Sequence, residues 1–202
     1  MLVIDPGHGG LDGGASAGDG TTESVLNLQI ALRMEALARL TGAECRLTRR
    51  EEALDYPAEL DTVHEKKVWD QKTRVALINN TPGAVLFSVH QNRYPDPRPS
   101  GCQVLYAKTP GSKELGELVH GNLVSRLCPE NRRVAAPVGE SIYLMKQIGC
   151  PAILVECGFL SNYEEAKKLE SEGYQKLLAA VLVASYWQYE ITRPLPGGEG
   201  AA

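Results

Sequence analysis

Val3-Ile4-Asp5-Pro6-Gly7-His8-Gly9-Gly10 opens the chain, and Thr21-Thr22-Glu23 follows after a loop through Leu11-Asp12-Gly13-Gly14. A short apolar strand, Met1 to Asp5, carries a histidine into a glycine-rich turn. The glycines let backbone come close to whatever the histidine holds. A carboxylate then stands where a helix should begin. From Glu23 to Leu40, residues Val25, Leu28, Leu32, Ala36 and Leu40 recur with helical spacing. Thr21 or Thr22 can cap that helix and Gly42 follows it, so start and stop signals agree.

Working outward, strands and helices keep alternating. Glu44 to Thr48 reads as a strand. Residues 49 to 66 are charged, contain Pro57 and show no clean period, which predicts a loop or a short irregular helix. Lys67 to Asn79 is helical by Val68, Val75 and Ile78, and Pro82-Gly83 ends it. Ala84-Val85-Leu86-Phe87-Ser88-Val89 is continuously apolar enough to be a strand buried on both faces, ended by His90. A loop with Pro95, Pro97 and Pro99 leads to a strand at Cys102 to Ala107, a helix from Gly111 to Leu127 and a short strand at Ser141 to Met145. Ala152-Ile153-Leu154-Val155 is a second apolar strand, ended by Glu156. Helices at Tyr163 to Leu169 and Tyr174 to Tyr189 close the pattern. This predicts an α/β fold: a single three-layer domain, its mostly parallel, twisted sheet covered by helices on both faces. The domain is expected over residues 1–190, with residues 191–202, rich in Gly and Pro, as a disordered tail.

Composition agrees with one folded domain. The chain has 202 residues, 43% of them hydrophobic, and a net charge of −4, which gives no electrostatic reason to expect nucleic acid. No apolar run is long enough to span a membrane. Met1 abuts the first strand with no lead-in, so a leader is expected to have been removed ahead of it. The five cysteines are odd in number and form no Cys-x-x-Cys pair, so neither a disulfide framework nor a thiolate metal site follows. They read as small buried hydrophobes.

Sheets of this kind gather their ligands beyond the carboxyl ends of the strands. His8, His90 and Glu156 all fall there, and Glu23 falls in the first turn of the first helix. Two imidazoles and a carboxylate are a donor set for one catalytic Zn2+ per chain, with a position left for water. Zinc lowers the pKa of its water from about 16 to about 7, which makes hydroxide available at neutral pH. Hydrolysis also needs a proton carrier, and Glu156, after four apolar residues, is the candidate general base and acid. Each residue alone has a plainer reading. His8 can bond a backbone group, Glu23 can complement the helix dipole, His90 can end a strand, and Glu156 can pair with a base such as Lys146. The four at matching ends of one sheet favour chemistry. His64 and His120 sit among polar residues and are expected in solvent. Gly7-His8-Gly9-Gly10 is not a nucleotide-binding glycine pattern, so a phosphate cradle is rejected.

These motifs resemble the zinc-dependent N-acetylmuramoyl-L-alanine amidases of the amidase type 3 family. The resemblance rests on Val3 to Gly10, Glu23, Ser88-Val89-His90-Gln91-Asn92 and Pro151 to Asn162, with Leu47-Thr48-Arg49, Arg74 and Asn79 as further family positions. It implies that His8, Glu23 and His90 bind zinc and that Glu156 is catalytic. It also implies hydrolysis of the amide between N-acetylmuramic acid and L-alanine of the peptidoglycan stem peptide, by an extracytoplasmic enzyme in the cell envelope or the forespore–mother cell space. Asn92 and Lys146 are candidate substrate contacts. Ser141 to Met145, with Ser100-Gly101, looks like the sporulation branch, which strips spore-cortex glycan so that muramic lactam can form. Cys157 and Gln91 depart from the family pattern without removing a ligand. Some relatives cover the zinc with a long inserted helix until a protein activator moves it. Residues 49 to 66 are too short and too charged for that, so an open site is expected, and an activator stays open as a partner.

Two rivals remain. One is a catalytically inactive peptidoglycan-binding regulator, disfavoured because all four residues are present. The other is a zinc carboxypeptidase acting on free peptides. It needs an arginine clamp, for which Arg93 and Arg98 are the nearby candidates.

Overall fold

The computed structural model describes residues 1–193. Six strands form one sheet: β1 (Leu2–Pro6), β2 (Cys45–Leu47), β3 (Val85–Asn92), β4 (Gln103–Tyr106), β5 (Ala136–Pro137) and β6 (Ala152–Phe159). Their order is β2-β1-β3-β6-β4-β5, and every neighbouring pair is parallel except β4 with β6. The helices are α1 (Glu23–Leu40), α2 (Val63–Asn79), α3 (Ser112–Leu127), α4 (Tyr143–Gln147), α5 (Tyr163–Glu170) and α6 (Glu172–Thr192).

Side-chain alternation along the strands builds two cores. Leu2, Ile4, Phe87, Val89, Ile153 and Val155 face α1, α3, α5 and α6. Val3, Leu86, Ala152 and Leu154 face α2 and α4. Because successive strand residues point to opposite faces, central strands with helices on both sides must be apolar throughout. That is why β6 is apolar from Ala152 to Val155 and β3 from Val85 to Val89 save for the hydrogen-bonded Ser88. The expected three-layer architecture is the one observed.

Several boundaries differ, each for a physical reason. β3 continues through His90 to Asn92 and β6 through Glu156 to Phe159, because the two strands go on pairing, with a register shift between His90 and Asn92. His90 and Glu156 therefore sit inside strands rather than just past them. The expected strand at Ser141 to Met145 is instead the single turn α4. Leu144, Met145 and Ile148 are all buried in the core beside α2, whereas a strand would send the neighbours Leu144 and Met145 to opposite faces, and β5 takes the edge position. α2 begins at Val63, earlier than Lys67, because Thr62 and Glu65 form a capping box. Thr22 holds the N-cap position of α1, but its hydroxyl pairs with that of Ser24 rather than with the helix backbone. α6 runs through Ile191 and Thr192, two residues beyond the expected domain end. The rest of the expected tail, residues 194–202, lies outside the described residues.

His64 is exposed as expected. His120 is not: it is buried on the inner face of α3 with Leu115, Val119 and Leu123, and its Nε2 donates to the Arg133 carbonyl at 2.8 Å. Cys102 and Cys157 are buried, while Cys45, Cys128 and Cys150 are half-buried. Among the described residues, no helix is long and apolar enough to cross a membrane.

Candidate metal centre

The carboxyl rim of β1, β3 and β6 assembles the site. β1 ends at Pro6, and two residues on His8 turns into the left-handed region at φ 60°, the one non-glycine residue to do so among the described residues. Such a backbone costs an ordinary residue of order 1 kcal/mol and persists only where its surroundings hold it. Two buried arginines do so here. Arg49 Nε donates to the carbonyls of His8 (2.7 Å) and Pro6 (3.1 Å), and its Nη2 to those of Gly7 (3.0 Å) and Ser24 (2.8 Å). Arg74 donates to the carbonyls of Pro6 and His8 as well. Arg74 is itself fixed by Asp5 at 2.9 Å and Asp70 at 2.9 Å. Asp5 is buried inside β1 and also accepts from Thr48 and Ser88, both at 2.6 Å. Burial opposes its charge, yet Arg74 and the two hydroxyls hold its carboxyl below the usual range.

Glycine is required at two points for steric reasons. A Cβ on Gly7 would stand 2.2 Å from Cε1 of the His90 ring. Gly14, at φ 67°, would place one 2.6 Å from Glu23 Oε2 and 2.8 Å from the His8 ring. The glycine loop thus leaves room for three side chains to share one space.

Those side chains are His8, Glu23 and His90, and one ligand-type atom from each lies within 4.8 Å of the others. Glu23 is the first residue of α1. Its Oε1 lies 2.9 Å from His90 Nδ1 and 3.3 Å from His8 Nε2, and it accepts from the Gln91 amide at 3.0 Å. Its Oε2 accepts from the Ala15 amide at 2.9 Å. Burial disfavours the Glu23 carboxylate, but the two imidazoles outweigh this and keep it ionised. His8 Nδ1 lies 3.1 Å from Asp12, which in turn meets Lys67 at 3.0 Å. Burial lowers the basicity of His8, and Asp12 with Glu23 more than reverses that, raising its pKa to about 9. Two nitrogens and an oxygen converging from rigid elements fit zinc, and an acid on the outer nitrogen of His8 is the usual device for orienting a ligand imidazole.

Glu156 pairs with His90 in the β3–β6 ladder and with Gln103 on the other side. Its Oε2 is buried without a hydrogen-bond partner. Burial pushes its pKa up to about 7; Glu23 adds to this, and His90 and His8 oppose it. A carboxyl held near neutrality and left unpaired can both take and return a proton.

The four expected site residues therefore meet. Asn92 closes β3 two residues beyond His90, half-buried, on the same rim. Lys146 does not join them. It pairs with Glu140 at 3.5 Å on α4, which packs near Ala152, the opposite end of β6 from Glu156. Residues 50–62 form turns and bends without a helix, and His8 and His90 retain 26% and 19% side-chain exposure, so the site is open as expected. Asp12, Asn27 and the full roles of Arg49 and Arg74 escaped the sequence reading. Asn27 accepts from Gln91 and donates to the Gly7 carbonyl, which ties α1 to the turn.

The fold and this donor set together define a class, enzymes of α/β architecture with a His/Glu/His metal-type centre at the carboxyl rim of the sheet. The family profile described as N-acetylmuramoyl-L-alanine amidase matches residues 2–185. The germination-specific N-acetylmuramoyl-L-alanine amidase of Bacillus subtilis is 32% identical over 190 residues, covering 94% of this chain and 79% of that protein. The structure of the CwlD amidase from Clostridioides difficile, in complex with the GerS lipoprotein, matches with a TM-score of 0.90 at 33% identity, covering 95% of this chain and 98% of that one. LytC, an N-acetylmuramoyl-L-alanine amidase of Bacillus subtilis, is 28% identical over 184 residues, 90% of this chain but 34% of LytC, so the chain spans about a third of that relative. The chain belongs to the amidase type 3 family and is an N-acetylmuramoyl-L-alanine amidase, a hydrolase.

Proposed function

We propose that this amidase uses one zinc ion, held by His8, Glu23 and His90, to cut the amide between the lactyl group of N-acetylmuramic acid and L-alanine, with spore cortex as the preferred wall substrate and muramic lactam as the downstream outcome. The observation that carries the reading is the convergence of three donor atoms within 4.8 Å, with the unpartnered Glu156 on the same rung as His90. Bound zinc supplies Lewis-acid activation of the amide carbonyl and of water. Glu156 Oε2 takes the proton of the attacking water and hands it to the departing amine of L-alanine. Arg49 and Arg74 keep His8 aimed, and Asp12 holds its outer nitrogen. A cavity of about 650 Å3 between Ser16–Gly18, Arg93–Tyr94 and Leu160–Ser161 opens on the rim of β3 and β6 and gives a bulky polymer room to approach.

The germination-specific relative supports the cortex assignment, and the CwlD–GerS complex supports a protein partner for this chain. Peptidoglycan as substrate places the working enzyme outside the cytoplasm. The carboxypeptidase reading is weakened because Arg98 is committed to Asp96 at 2.8 Å, which leaves Arg93 alone for a clamp. Metal analysis and digestion of cortex and vegetative glycan test the proposal together. About one zinc per chain is expected in both the parent and Glu156→Gln, with stem peptides released by the parent alone and faster from cortex. Release by Glu156→Gln at the parental rate removes the catalytic assignment; equal rates on the two glycans remove the cortex preference.

A further inference from the structure

Two of the five cysteines have an arrangement that the amidase chemistry does not use. Cys102 immediately precedes β4, and Cys128 caps the C-terminal end of α3. Their sulfurs are 3.3 Å apart, although the residues are 26 apart in sequence. Asn131 bridges the pair: its Nδ2 donates to the Cys102 carbonyl at 2.7 Å and lies 3.9 and 3.8 Å from the two sulfurs. Cys45, Cys157 and Cys128 each direct a thiol at a carbonyl, of Glu35, Val155 and Leu123 respectively, but Cys128 also faces the sulfur of Cys102. Cys102 is buried, whereas Cys128 is half-buried and lines an open surface cavity of about 850 Å3 with Asn131 and Arg133.

We propose that Cys102 and Cys128 are a disulfide-forming pair that closes on contact with a small-molecule disulfide, pinning the start of β4 to the end of α3. The geometry asks for little. A disulfide needs its sulfurs about 2.05 Å apart, so they must approach by about 1 Å, within reach of side-chain rotation. The order of events follows from access. Cys128 faces the cavity, and its thiol is acidified by the hydrogen bond from Cys102, against the effect of burial, and further by Asn131. The Cys128 thiolate attacks one sulfur of the external disulfide, forming a mixed disulfide and expelling one small thiolate. Cys102 then attacks Cys128 Sγ and expels the second. Two protein thiols are oxidised, one external disulfide is reduced to two small thiols, and the two protons end on those thiols.

The staple would sit beside the reaction centre. Gln103, the next residue after Cys102, is the ladder partner of Glu156, so β4 forms one wall of the catalytic carboxyl's setting. An extracytoplasmic enzyme meets disulfides that a cytoplasmic one does not. The pairing itself rests on the sulfur geometry and holds whatever the wall substrate proves to be.

Oxidised glutathione added to the purified full chain, followed by thiol counting in denaturant and peptide mapping, tests this. Free thiols should fall from five to three, with one linked peptide pair joining Cys102 to Cys128. Closing a loop of this length should raise the Tm of the oxidised chain above that of its dithiothreitol-reduced form by roughly 5–10 °C. Cys128→Ser should keep four thiols and show no such difference. Five thiols remaining, glutathione retained on Cys128, a link through Cys157 instead, or an unchanged Tm would each overturn the proposal. Mapping on the parent needs no variant to fold.

Discussion

His90 and Glu156 are direct partners across parallel strands β3 and β6, so one ladder rung carries a metal-type ligand and the carboxyl proposed to carry the proton. On both strands they continue the parity of Leu86 and Leu154, residues that face α2 and α4. A one-residue slip between the strands would turn one of them away. The apolar residues below the rung, locked by packing on both faces, therefore set the geometry of the chemistry above it.

That rung gives the metal-free protein a signature in pH. Glu156 is held near 7 against an ordinary value of 4.5, chiefly by burial. Below 4.5 it is protonated in folded and unfolded chains alike and costs nothing. Between 4.5 and 7 the unfolded chain ionises while the folded one keeps its proton, so stability falls as pH rises, and above 7 the loss is complete. The amount is on the order of 3 kcal/mol. In chelator, Glu156→Gln should match the parent near pH 4.5 and exceed its Tm increasingly up to pH 7.5. A Tm difference that does not change with pH would show that the carboxyl is hydrated or paired in solution.

Gly7 and Gly18 make a matched pair of substitutions. A methyl at Gly7 meets the His90 ring at 2.2 Å, whereas nothing lies within 4 Å of one at Gly18. Gly7→Ala should displace His90, lower zinc affinity by at least about tenfold and abolish activity. Gly18→Ala should leave zinc affinity at the parental value. Calorimetric zinc titration of the two variants checks this, and parental affinity in Gly7→Ala would mean that the turn can shift without cost.

Asp12 is the second test of ligand orientation. It faces the outer nitrogen of His8 from 3.1 Å and leaves the inner nitrogen toward Glu23. Asp12→Asn keeps the size but removes the charge that favours one imidazole orientation, so zinc affinity should fall roughly 10- to 100-fold with little change in Tm of the chelated protein. Equal zinc affinity in the variant and the parent would make Asp12 a surface pair for Lys67 only.

How much of this was legible in the sequence depends on range. The apolar runs of β3 and β6 announced strands covered on both faces, and the donors at their ends followed. Thr62 and Glu65 carried a capping signal in plain view. Ser141 to Met145 was misread because five residues are too few for periodicity to separate a strand from one helical turn. His120 was misread because its polar neighbours lie on the other face of α3, while it follows Leu115 and Val119 inward. Asp12, Asn27 and the arginine contacts were not legible at all, since they depend on which loops meet in space. Lys146 was the opposite failure, a charge assigned to the rim that the fold carries to the far end of β6.

Arg49 is the sharpest case of a contact made only by folding. One guanidinium donates to the carbonyls of Pro6, Gly7, His8, Ser24 and Glu51, and so joins the metal-site turn to α1 and to the chain after β2. Lysine keeps the charge, but its single ammonium cannot match a planar fork of five donors. Arg49→Lys should remove several hydrogen bonds to carbonyls that keep a second donor, Arg74 for Pro6 and His8 and Asn27 for Gly7, at about 1 kcal/mol for each bond not remade, which corresponds to a fall in Tm of roughly 5–15 °C. The left-handed His8 loses one of its two clamps at the same time, so zinc affinity should fall with stability, a coupling that a purely structural arginine would not show. Thermal melts and zinc titration at a temperature where the variant is folded separate the two effects. A destabilised variant with parental zinc affinity would mean that Arg74 alone is enough to hold His8 in place.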